Sequence, residues 1–111
     1  MTHYVYVIRA GKDQFKIGHS KQPLKRKQQL QTGNAFHLSF FRLYEFPATA
    51  GAVQAETVIK DYLHRYRTKG GGSEFFLITE SFMKPLLYDI FTRTNVLYEW
   101  DAQEISPGHL Q

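Results

Sequence analysis

The sequence predicts an α/β domain: a small central antiparallel three-stranded sheet flanked by helices, with an extra C-terminal strand segment and helix. Three observations lead there. Tyr4-Val5-Tyr6-Val7-Ile8 is β-branched and aromatic with both alternating faces largely apolar, as expected of a central strand covered on each side. Gly11-Lys12-Asp13 is turn chemistry that folds a second strand back beside the first. Apolar residues then recur at three- and four-residue spacing over Ala48–Arg67, the period of a helix with one buried face.

Taken in order, His3–Ala10 is the first strand, with Tyr4, Tyr6 and Ile8 on one face and Val5, Val7 and Arg9 on the other. Gln14–His19 is its hairpin partner. Pro23 suits the first position of a helix, where its missing N–H costs nothing, and that short basic helix runs to Gln31. Gly33 is placed to end it in a left-handed conformation. Phe36–Phe46 is a third strand stopped by Pro47. Along the Ala48–Arg67 helix Ala52, Ala55, Ile59, Tyr62, Leu63 and Tyr66 recur at that spacing, and Glu56 lies on the same stripe. Lys69–Ser73 is a glycine-rich loop, Glu74–Thr79 a short strand, and Ser81–Thr94 a closing helix whose start Pro85 shifts toward Lys84. Asn95–Trp100 is expected as an edge strand and residues 101–111 as a frayed tail, so that residues 1–100 form one domain.

Bulk properties narrow the function classes. There is no cysteine, which excludes disulfides, thiolate zinc sites and cysteine nucleophiles. No apolar run approaches the ~20 residues that span a bilayer, and no signal region opens the chain, so an intracellular location in cytoplasm or nucleus is expected. Charge is segregated: residues 1–44 hold eight basic side chains against Asp13 alone, whereas residues 70–111 hold two against six acidic ones. A basic half on a chain of pI near 9.4 is the footprint of a polyanion partner, nucleic acid in particular. A lysine-rich solvated face is the ordinary alternative.

The ordered motifs in the first half resemble the GIY-YIG endonuclease superfamily, closest to its branch of small DNA-binding or nuclease domains common in phages and large DNA viruses. Tyr4-Val5-Tyr6 stands where Gly-Ile-Tyr stands, and Lys16-Ile17-Gly18 where Tyr-Ile-Gly stands. Arg26, eight residues after Gly18, and Glu56 on a later helix match the two charged positions. The resemblance covers residues 4–78.

It implies a metal-dependent DNA endonuclease. Tyr6, or Tyr4 on the same strand face, would assist deprotonation of the attacking water; sheet packing is the ordinary role for both. Lys16 departs from the pattern by replacing the second tyrosine, and would hold a phosphate oxygen or lower the pKa of Tyr6. Arg26 would stabilise the transition state with its planar fork. Glu56 would be the single protein ligand to Mg2+ or Mn2+, water and phosphate supplying the rest, against the ordinary reading of an i, i+4 pair with Lys60. His64, in a Leu63-His64 pair of the kind seen in this branch, would donate to the leaving group or cap a polar edge. Gly18, His19, Lys21, Lys25 and Lys27 would line the DNA backbone.

Because the module occupies nearly all of these residues, specificity is expected to be low, directed at double-stranded or branched DNA, or supplied by a protein partner or a homodimer. Two further readings stand beside this one: a nucleic-acid-binding module of the same fold without catalysis, and a small protein-interaction domain whose acidic end meets a basic partner.

Overall fold

The computed structural model describes residues 2–68 and 75–110. Its centre is the expected hairpin, β1 (His3–Ala10) paired antiparallel with β2 (Gln14–Ser20). Gly11 and Asp13 both take the left-handed conformation at the turn, with φ of 63° and 62°. On the other side β1 pairs antiparallel with β3 (Leu38–Phe46), with a register shift after Val7 that leaves Phe41 as an extra residue. That bulge lets Phe41 reach Phe15, ring centroids 4.8 Å apart, on the main-core side.

The sheet has five strands, not three. β4 (Phe76–Leu77) pairs with β2 and β5 (Gln103–Glu104) pairs with β3, giving the order β4-β2-β1-β3-β5, antiparallel throughout. β5, two residues long, carries no period-2 pattern, which is why a hydrophobicity reading does not find that edge. β4 lies inside the segment expected as a strand; the loop expected over residues 69–73, and Glu74, fall outside the described residues.

Three helices cover the two faces. α1 (Pro23–Thr32) sits on one, above Tyr6, Ile8, Ala10, Leu38 and Leu43. α2 (Thr49–Tyr62) and α3 (Glu80–Leu97) cover the other, where Val5, Val7, Phe15, Ile17, Tyr44 and Phe46 meet Ala52, Ala55, Ile59, Met83, Leu87 and Ile90. The apolar alternation of β1 therefore reports a real feature, a strand buried on both sides.

Several boundaries move. β3 begins at Leu38 because the Gln31 side chain accepts from Leu38 N–H and donates to Phe36 C=O, holding the approach as a turn. Gly33 has φ of −98°, not left-handed. α2 stops at Tyr62 instead of Arg67: Leu63 leaves helical geometry, a 3-10 turn follows over His64–Tyr66, and Arg67 bridges to Phe76. α3 starts at Glu80, before Pro85, because Asp13 Oδ1 accepts the Glu80 N–H at 3.1 Å and only the exposed first turn loses a bond to the proline. It also runs through Asn95, expected as strand, because Thr94 satisfies its hydroxyl on the Ile90 carbonyl at 2.7 Å inside the core.

The segment expected as a frayed tail carries β5. Asn95 clamps it, its side chain donating to and accepting from the backbone of Ala102 at 2.9 and 3.0 Å. Ile105 N–H donates to Leu43 C=O, and Ile105 and Leu110 pack on the α1 side.

Candidate functional site

The sequence of β1 and β2 places two histidines on one sheet face. Val5 is opposite His19 in the ladder, so His3, two residues away on the same face, lies diagonal to His19. α2 begins at Thr49 directly over this end of the sheet. The result is a continuous polar chain. Thr49 Oγ1 is 3.1 Å from His3 Nδ1, and His3 Nε2 is 2.8 Å from His19 Nδ1. His19 Nε2 is 3.9 Å from Glu56 Oε1, and Lys60 Nζ is 2.9 Å from Glu56 Oε2.

His3 is only 5% exposed. Burial, and then the charges of His19 and Lys21, hold its imidazole below the ordinary histidine value. It is a neutral hydrogen-bonding link at neutral pH. The Glu56 side chain is 22% exposed, at the edge of the α2 stripe whose centre is Ala52, Ala55, Ile59 and Leu63. It pairs with Lys60 as a surface helix offers, and it also opens onto a pocket of about 250 Å³ lined by Lys60, Asp61, His64 and Arg67. His64 reaches that pocket from the 3-10 turn, not from a continued helix.

The other expected site residues lie elsewhere. Tyr6 is 3% exposed on the α1 face, opposite Gly18. Lys16 shares that face and places Nζ 5.7 Å from the Phe75 ring centroid. Tyr4 bonds to Glu45; burial, and then Glu45, push its phenol above the ordinary tyrosine value. Arg26 is exposed on α1, its guanidinium 3.5 Å from Gln29 Oε1. Lys21 and Lys25 line a second cavity of about 330 Å³ with Tyr4, Pro23, His109 and Leu110, while Lys27 lies over Phe40.

The structure thus sets His19 against Glu56 in the middle of α2, and Glu56 and His64 on one pocket. It sets Tyr6, Lys16 and Gly18 on the opposite face of the sheet, and Arg26, Lys25 and Lys27 on the exposed helix that follows β2. Sequence reading missed His3, Thr49 and Arg67. A signal for His3 existed: once the turn at Gly11–Asp13 fixes the hairpin register, His3 and His19 are diagonal neighbours. Thr49 and Arg67 depend on where α2 starts and stops, which no local pattern marks.

Among the described residues no group of three or more His, Asp or Glu side chains is arranged to hold a metal ion. What Glu56 offers is one hard oxygen, Oε1, beyond hydrogen-bond distance of His19. That donor set fits magnesium or manganese held through one carboxylate with water and phosphate, and does not fit a preformed protein cage. No helix among the described residues is long and apolar enough to cross a membrane.

A family model described as the T5orf172 domain matches residues 2–90, which takes in β1 through the middle of α3 and every residue of both pockets except His109 and Leu110. This is a phage-type, nuclease-related domain of GIY-YIG-like character, consistent with a nuclease-like or DNA-binding module. No curated protein and no solved structure matches the chain.

Proposed function

Since the chain belongs to the T5orf172 domain family, we propose that it is a DNA endonuclease that hydrolyses phosphodiester bonds with Mg2+ or Mn2+. The observation that carries this reading is the half-buried Glu56 carboxylate, facing a pocket that Lys60, Asp61, His64 and Arg67 also line. A half-buried carboxylate with Lys60 and Arg67 beside it has an electrostatic use beyond one ion pair.

Glu56 would hold the metal through Oε1 while Lys60 fixes the orientation of the carboxylate. The metal, when bound, supplies positive charge to the scissile phosphate and acidifies the attacking water. Arg26 would clamp phosphate oxygens from α1, and Lys21, Lys25 and Lys27 would track the DNA backbone. Of the two tyrosines, Tyr4 is unsuited to taking a proton, because burial and Glu45 keep it protonated. Tyr6, buried on the face away from Glu56 with its hydroxyl beside the backbone of Gly18, would not reach that water, which leaves its deprotonation to the metal and solvent.

A second reading has its own observation. Tyr6 and Lys16 occupy the sheet face opposite to Glu56, as expected of a DNA-binding module whose catalytic parts no longer work together.

Nicking of supercoiled plasmid with and without Mg2+ or Mn2+ separates the two. Metal-dependent nicking lost in both Glu56→Ala and Arg26→Ala supports the endonuclease. Salt-sensitive DNA binding without nicking under either metal supports the binding module.

A further inference from the structure

Resting on the DNA-binding part of that reading, we propose that the cavity between α1 and the C-terminal 3-10 turn (Pro107–His109) takes one unpaired nucleotide of DNA. The protein would thereby select DNA that contains an unstacked base.

The cavity holds about 330 Å³, at the lower end of the range for small-molecule sites, which suits one nucleotide and not a duplex. Its lining is of two kinds. Lys21 and Lys25 supply cations, and Tyr4, Pro23, Leu24 and Leu110 supply apolar and aromatic surface. No carboxylate is among the residues that line it. Two other cavities differ in that respect: one of about 650 Å³ is lined in part by Asp13 and Glu80, and the one beside α2 by Glu56 and Asp61. A phosphate is attracted to the first and meets acids in each of the others.

The two aromatic rings are fixed at their polar ends. The Tyr4 hydroxyl bonds to Glu45, its partner across the β1–β3 ladder. His109 Nδ1 lies 3.2 Å from the Ser106 carbonyl oxygen. Rings held in this way lose little freedom when a base stacks on them, and stacking accepts any base because every base has a π-face. Gln22 also lines the cavity and makes no side-chain bond capping α1, so its amide can meet a base edge as donor or acceptor.

His109 and Leu110 lie beyond residues 2–90, so this wall stands outside the stretch that the family model matches. Pairing of β5 with β3 and the packing of Leu110 on the α1 side hold it in place.

A paired base must be extruded before it can enter, at an unstacking cost that an unpaired base has already met. Phosphate contacts from Lys21 and Lys25 act on paired and unpaired DNA alike. The difference in affinity between the two is then the base's own contact with Tyr4 and His109.

The test is binding in EDTA, by fluorescence anisotropy, to three duplexes of one sequence: fully paired, with one bulged nucleotide, and with that bulge made abasic. The bulged duplex should bind about 10-fold tighter than the paired one, the ordinary worth of one stacked base. The abasic bulge keeps the phosphate and the extra backbone, and should bind like the paired duplex. Tyr4→Leu and His109→Ala should each shrink the preference and leave affinity for the paired duplex unchanged. His109 is exposed, so its variant tests the cavity even where Tyr4→Leu disturbs the sheet.

Equal affinity for paired and bulged duplexes, an abasic bulge that binds like the complete one, or a preference that survives His109→Ala overturns the proposal. Metal-dependent nicking of plasmid by the same wild-type protein then leaves the endonuclease standing. A bulge preference without such nicking keeps the nucleotide site and removes the endonuclease. No salt-sensitive binding to any duplex overturns both.

Discussion

Tyr6 stands directly across the β1–β2 ladder from Gly18, so close that a methyl group on Gly18 would lie 2.2 Å from the tyrosine hydroxyl oxygen. The glycine is required by its neighbour's ring. It neither ends the strand, which continues to Ser20, nor adopts a conformation barred to other residues. Gly18→Ala must push a buried ring out of place and should destabilise the fold by roughly 1–3 kcal/mol, the usual cost of overpacking. Urea unfolding measures it, and Tyr6→Leu in the same chain should recover part of the loss.

Glu56→Gln keeps shape and removes the charge. If the carboxylate holds the metal, plasmid nicking should fall about 1,000-fold, since several kcal/mol of transition-state stabilisation depend on it at one decade per ~1.36 kcal/mol. Stability should change little, because an i, i+4 helix pair with Lys60 contributes only ~0.3–0.5 kcal/mol. Chelation by EDTA should silence wild type and leave its DNA binding in place. Undiminished nicking by the variant would remove Glu56 from the site.

The α1 cations separate by readout. Lys25→Ala and Lys27→Ala should each weaken DNA binding uniformly across sequences and lower the slope of log affinity against log salt by about 1. Arg26→Ala should do that and also depress nicking of bound DNA. Unchanged slopes would place the DNA away from this helix.

Tyr44 is buried among core side chains, stacked on Phe91 with ring centroids 4.2 Å apart, and its hydroxyl has no hydrogen-bond partner among the described residues. Burial first, and Glu104 second, push the phenol well above the ordinary tyrosine value. Tyr44→Phe removes the unsatisfied group without a cavity and should stabilise by about 1 kcal/mol. A loss of stability in calorimetry would reveal a partner for the hydroxyl.

His3 makes stability depend on pH with a definite sign. Its folded value lies below the ordinary 6.5, so below that pH the unfolded chain binds the proton first. The contribution is complete above about pH 6.5 and is lost as pH falls toward and through the folded value. His3→Gln should flatten that limb of the curve in urea titrations between about pH 5 and 7, a range set by histidine's ordinary titration. An unchanged slope would mean that His3 is not the group responsible.

The sequence by itself determined the middle of this protein. The alternation in β1, the turn at Gly11–Asp13, Pro23 at the head of α1 and the helical stripe through Ala52, Ala55 and Ile59 are local signals, each set by residues a few positions apart. The motif order through Arg26 and Glu56 is equally local, which is why the family was legible. Only the tertiary structure decided the β5 edge and the site. Two-residue strands at Phe76 and Gln103 exist because β2 and β3 had unpaired edges to satisfy. α2 ends at Tyr62 because Arg67 is drawn toward Phe76, and α3 starts early because Asp13, sixty-seven residues back, caps it. The separation of Tyr6 from Glu56 follows from a strand's period of two: a single sheet lies between residues that the motif names together. His3 and Thr49 became part of the site for the complementary reason, that a hairpin register and the start of α2 bring distant polar groups to the same end of one face.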